Sequence, residues 1–132
     1  MNTLSDKERM KAIKAAPRLD AKGSITITLN GQVTKTEDVY ILDQPDNSIV
    51  GVIGEDKGIV IVQFSSLTAP GTYEIKKHNI WIQMSFHGFS GAANTGDLTL
   101  ETIEIKNKYK GRFDVKTVDH QKADGVFDVQ KV

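Results

Sequence analysis

Apolar and polar residues alternate singly along most of this chain. Ile25, Ile27 and Leu29 interleave with Ser24, Thr26 and Thr28, a period of two that predicts a strand with one buried face. Asn30-Gly31 follows, a dipeptide strongly suited to tight hairpins, and Val33-Thr34 opens a polar return strand. Val39 to Leu42 reads as the next strand, stopped by the turn-forming run Asp43-Gln44-Pro45-Asp46-Asn47-Ser48. The segments 49–53 (IVGVI) and 59–62 (IVIV) break the alternation. Both are apolar on both faces and are joined by Gly54-Glu55-Asp56-Lys57-Gly58 as a hairpin. Such strands need cover on both sides, from a second sheet, an N-terminal helix or a second subunit.

Alternation returns downstream. Tyr73 and Ile75 form a short strand, with a turn at His78-Asn79. Ile80, Ile82, Met84 and Phe86 then share one face, with Trp81, Gln83 and Ser85 on the other. Residues 87–96 (HGFSGAANTG) read as a small-residue loop. Leu98 and Leu100 are even-numbered whereas Ile103 and Ile105 are odd, so one extra residue near Glu101-Thr102 predicts a β-bulge. Tyr109, Gly111, Phe113 and Val115 oppose Lys110, Arg112, Asp114 and Lys116, and Gly125, Phe127 and Val129 complete a last strand.

Only residues 5–16 depart from this grammar. Ser5-x-x-Glu8 matches a capping box, Met10 and Ile13 lie on one side, and Pro17 ends the pattern. The expectation is an N-terminal helix or arm over residues 1–22 and one antiparallel β domain over 23–132. About eight or nine short strands joined by tight turns predict an all-β barrel or sandwich with one short helix. No helical pattern separates two strands, which argues against parallel βαβ units.

Composition narrows the function classes. Lys plus Arg and Asp plus Glu number 17 each, giving zero formal net charge, so no global field draws the chain to nucleic acid or an anionic membrane. Cysteine is absent, which removes disulfides, thiolate nucleophiles and cysteine-based zinc sites. No apolar run reaches signal-peptide or membrane-spanning length. The chain as given reads as cytoplasmic; a removed leader would place it in the envelope or outside the cell.

Four segments carry a resemblance: Gly71-Thr72-Tyr73, Thr95-Gly96-Asp97-Leu98-Thr99-Leu100, Lys110-Gly111-Arg112-Phe113 and Asp124-Gly125-Val126-Phe127-Asp128-Val129. Over residues 70–129 the chain resembles uncharacterised bacterial β-rich proteins, many of them small envelope lipoproteins. The resemblance implies a compact antiparallel β fold without known catalytic residues. The lipobox cysteine of the lipoprotein version is missing here.

Candidate chemistry is sparse. His78 and His87 bracket one strand and fall at its opposite ends, so they cannot share a metal. Asp43, Asp46 and Asn47 lack the spaced Asp-x-Asp-x-Asp-Gly form of a calcium loop, and turn chemistry accounts for them. Ser90 lies near His87, but the glycine of a nucleophile elbow is replaced by Ala92. No enzyme and no cofactor are expected. Lys106, Lys108, Lys110 and Arg112 interleave with Tyr109 and Phe113, yet alternation puts the aromatics and the cations on opposite faces, against single-strand binding.

The leading expectation is a non-enzymatic binding or interaction module, with a protein partner or a second copy docking on Val50, Val60 and Val62 of the two-faced hairpin. A small apolar-ligand carrier with a barrel cavity is the first alternative. A carbohydrate-binding module is the second, with Trp81, His87, Phe89, Ser90 and Asn94 as contacts to a small molecule or glycan.

Overall fold

The computed structural model describes residues 18–43, 47–54, 58–65 and 67–132. Its elements are β1 (Arg18–Leu29), β2 (Gln32–Thr36), β3 (Val39–Leu42), β4 (Ser48–Ile53), β5 (Gly58–Gln63), β6 (Gly71–Glu74), a 3₁₀ turn (Ile75–Lys77), β7 (Trp81–Phe86), β8 (Phe89–Glu104), β9 (Lys108–Thr117) and β10 (Lys122–Lys131). The helix expected over residues 5–16 lies outside the described residues. Strand β1 begins at Arg18 rather than Gly23, because Arg18, Leu19 and Asp20 pair with Leu42, Ile41 and Tyr40 of β3.

These segments close into an eight-stranded antiparallel barrel. Strands β2 and β3 pair with the same edge of β1, and β6 and β7 with the same edge of β8, so each couple acts as one interrupted strand of the wall. Neighbours in sequence are neighbours in the wall, and the ring is sealed where β1 pairs with β10 from Ala21↔Lys131 to Leu29↔Ala123. Closure removes the long edges that an open sheet must otherwise protect, and among the described residues β2 and β6 are paired on one side alone.

The period-two pattern sets what faces inward. Ile25 and Ile27, Val39 and Ile41, Ile49 and Ile53, Val60 and Val62, Ile82 and Met84, Leu98 and Leu100, Phe113 and Val115, and Phe127 and Val129 all belong to one buried core. Lys110, Arg112, Asp114 and Lys116 alternate outward into solvent. The predicted bulge is present as a register shift between Leu100 and Thr102, with a second between Ala93 and Thr95.

The two Gly-x-Phe strands interlock. Gly125 lies opposite Phe113 and Phe127 opposite Gly111. A Cβ on Gly125 would stand 2.3 Å from the Phe113 ring, and one on Gly111 2.9 Å from the Phe127 ring. Each glycine thus vacates the space over which the neighbouring strand's ring lies.

One end of the barrel is plugged. Asn47 Nδ2 donates to the Leu67 carbonyl at 2.7 Å, the Tyr109 hydroxyl donates to Asn47 Oδ1 at 3.0 Å, and the Lys106 amide donates to that hydroxyl at 2.8 Å. The Phe64 ring meets Tyr109 edge-on at 5.5 Å. Phe64, Leu67, Tyr109 and Asn47 are all buried, so this polar network is worth keeping only because its groups are satisfied.

The segment 87–96 is not a loop. His87 and Gly88, with φ of 52° and 80°, make a two-residue turn between Phe86 and Phe89, the left-handed pair that suits a tight hairpin. Residues from Phe89 onward continue as β8. Their small side chains hid the strand, since Gly, Ala and Ser give no apolar alternation to read.

Candidate functional site

Strands alternate in direction around the wall, so the 30–31 and 87–88 turns and the turn before Lys122 gather at the end opposite the plug. There the β1–β2 hairpin departs from the wall. Thr36 Oγ1 donates to the Val52 carbonyl at 2.6 Å, the Val52 amide donates to the Asp38 carbonyl at 2.9 Å, and the chain kinks between β2 and β3. Beyond that kink β2 is paired on the β1 side alone among the described residues. Its tip is tied across the seam: the Asn30 amide donates to the Lys122 carbonyl at 3.0 Å, and Asn30 Nδ2 donates to Gln121 Oε1.

This arrangement opens a pocket of about 210 Å³ between the β1–β2 and β7–β8 hairpins, lined by Leu29, Asn30, Gln32, Thr34, Phe86, His87 and Phe89. Leu29, Phe86 and Phe89 supply apolar walls. Asn30, Gln32 and Thr34 supply amide and hydroxyl groups, and the His87 ring stands edge-on to Phe86 at 5.4 Å. Apolar walls with a few converging polar groups at a barrel mouth are the usual make-up of a small-molecule site.

A larger groove of about 470 Å³ crosses the outer face of β6, β8, β9 and β10, where Thr72, Asp97, Thr99, Arg112, Asp114 and Asp124 line it. Asp97, Asp114 and Asp124 are direct cross-strand neighbours, and all three are exposed. Arg112 is drawn off to Glu101 at 3.2 Å. Solvated like charges in a row describe a hydrated surface rather than a converging site. Among the described residues no three His, Asp or Glu side chains are grouped so as to hold a metal.

The residues expected to contact a ligand or partner separate into four places. His87 and Phe89 meet at the mouth pocket. Ser90 faces outward, its Oγ 2.9 Å from Ser85 Oγ, and Asn94 is exposed at the register shift beside Ala93. Val60 and Val62 lie in the barrel core. Val50 and Trp81 share a second apolar cluster outside the wall, where Trp81 is only 5% exposed, so its ring offers no stacking face to a glycan. Leu42, Ile59 and Ile61 of the same outer face are buried as well. Tyr109 and Phe113 are buried in the core and cannot stack on bases.

Leu29, Asn30, Gln32, Thr34 and Phe86 of the pocket were not among the expected contacts. Asn30 read as a turn and Phe86 as core; nothing local in the sequence signals that two hairpins so distant along the chain meet. No protein-family model, curated protein or solved structure matches the chain.

Proposed function

We propose that this protein is a non-enzymatic binding module that takes a small, flat, mainly apolar ligand with one hydrogen-bonding edge at the mouth of its barrel. The observation that carries this reading is the convergence of Leu29, Phe86 and Phe89 with Asn30, Gln32, Thr34 and His87 on one pocket of about 210 Å³. That volume is below the roughly 300–1,000 Å³ of drug-sized sites, so the ligand is small or enters by one end only. The core beneath is occupied by Phe113, Phe127 and Met84, which favours a mouth site over a deep carrier cavity.

Thermal unfolding with phenol, indole and hexanoate as probes tests the proposal, on the wild type and on Phe89→Ala and Gln32→Leu. A probe at a hundredfold excess over its Kd stabilises the native state by about 2.7 kcal/mol. The expected result is a rise in Tm for the wild type that shrinks in both variants. A rise of equal size in all three proteins, or none with any probe, sinks the mouth site.

A further inference from the structure

The two phenylalanines of the mouth pocket are not equivalent. Phe86 is buried, and its ring is already engaged edge-on by His87. Phe89 is half-buried and, among the described residues, meets no other ring. Its position is governed by a glycine. In Phe89-Ser90-Gly91 the first and third residues share one face of β8, Phe89 opposite Phe86 and Gly91 opposite Met84. A Cβ on Gly91 would stand 3.0 Å from Phe89 Cζ and 3.4 Å from Cε2. The Phe89 ring therefore lies back along its own strand, over the glycine and toward the barrel interior. Nothing in the backbone asks for glycine here, because Gly91 does not adopt a positive φ. The next nearest atom to that Cβ, Thr117 Cγ2, is at an ordinary contact distance of 3.7 Å. The missing side chain thus makes room for the ring.

We infer that the mouth site selects an aromatic ring bearing one polar substituent, and that Gly91 is the positioning residue that keeps the site open by seating Phe89; this rests on the mouth site proposed above. Size agrees. An apolar cavity of roughly 150 Å³ holds benzene, and the mouth pocket of about 210 Å³ takes one such ring with a small substituent. Ring chemistry agrees as well, since aromatic pairs set edge-to-face or offset gain more than their buried area alone provides, and Phe89 is the wall whose ring is unengaged by another. The polar substituent has a defined place. Asn30 Nδ2 is committed to Gln121, so Gln32 and Thr34, on the hairpin across the pocket, read it. A methyl group at position 91 would lift the Phe89 ring off its seat, and the open space that the ring borders is the pocket itself.

Phenol and cyclohexanol match in size and hydroxyl but differ in the ring face, so titration calorimetry with both tests the inference. The full chain is titrated as wild type, Phe89→Leu, Gly91→Ala and the double variant. The wild type should prefer phenol by about three- to tenfold, which is what a well-set aromatic pair adds beyond its area. Phe89→Leu should abolish that preference. Gly91→Ala should weaken phenol several-fold in the wild-type background and cost nothing further once Phe89 is leucine, a non-additivity that a merely structural glycine would not show. If Gly91→Ala is too unstable to titrate alone, recovery of the fold by Phe89→Leu reports the same contact, and failure to recover denies it. Equal affinity of the wild type for the two alcohols overturns the aromatic selection and leaves the mouth site standing. Equal losses from Gly91→Ala with and without Phe89 overturn the positioning role and also leave the site standing. Binding of neither alcohol to the wild type removes the mouth site itself, and this inference with it.

Discussion

At the scale of single residues, the interior of this barrel is decided by where side chains are missing. Gly125 holds a place that a methyl group cannot share with the Phe113 ring. Overpacking of this kind costs about 1–3 kcal/mol, so Gly125→Ala should lower the denaturant midpoint accordingly, and adding Phe113→Leu should recover part of the loss. Additive losses in that double mutant would deny the interlock. Tyr40 offers a separate test on the wall. The hydrogen-bonded carboxylate of Asp38, and then its charge, hold the Tyr40 phenol above its ordinary value of about 10, despite Arg18 stacked at 5.3 Å from the ring centre. A raised phenol favours the protonated form in the folded state. Its contribution is present in full below the unfolded value and is lost as pH climbs through the raised one. Ultraviolet titration of Asp38→Asn should show one tyrosine ionising at lower pH than in the wild type.

At the scale of elements, the wall mixes well-matched and ill-matched neighbours. Asp97, Asp114 and Asp124 face one another across β8, β9 and β10, and directly opposed like charges weaken a sheet by about 0.2–1 kcal/mol per pair. Asp114→Asn, which relieves two such pairs, should raise Tm, and the gain should shrink in high salt as screening does the same work. A drop in Tm would mean that the aspartates are held by something other than solvent. These elements were also where the sequence was most and least legible. The Asn30-Gly31 hairpin, the bulge near Glu101-Thr102 and the inward set Tyr109, Phe113 and Val115 follow from turn chemistry and parity, which are local. The first half of β8 did not, because Gly91, Ala92 and Ala93 carry too little apolar contrast to set a period. The start of β1 at Arg18 was equally hidden, since Arg18 and Asp20 take their place from pairing with β3 rather than from burial.

At the scale of the whole molecule, what the sequence withheld is what depends on distant contact: closure into a barrel, and the meeting of two hairpins at the mouth pocket. The two-faced hairpin illustrates the gap. Its pattern demanded cover on both sides, but only the closed wall shows that Val60 and Val62 face the common core while Ile59 and Ile61 face out. Val60→Asp would bury an unpaired charge among core residues, at a cost of several kcal/mol against a total stability of about 5–15 kcal/mol. The expected outcome is an unfolded chain by circular dichroism; a folded monomer with this substitution would mean that position 60 reaches solvent.

The seam between β1 and β10 has a mechanical consequence. Ala21 pairs with Lys131 and Leu29 with Ala123, and the Val132 amide donates to the Asp20 carbonyl at 3.1 Å, so the outer ends of the first and last strands lie side by side at the plugged end. A load applied between Arg18 and Val132 therefore peels the seam open one hydrogen bond at a time, as a zipper, instead of shearing all of its bonds together. To a pull at these two points the closed wall is a fabric that opens from its hem.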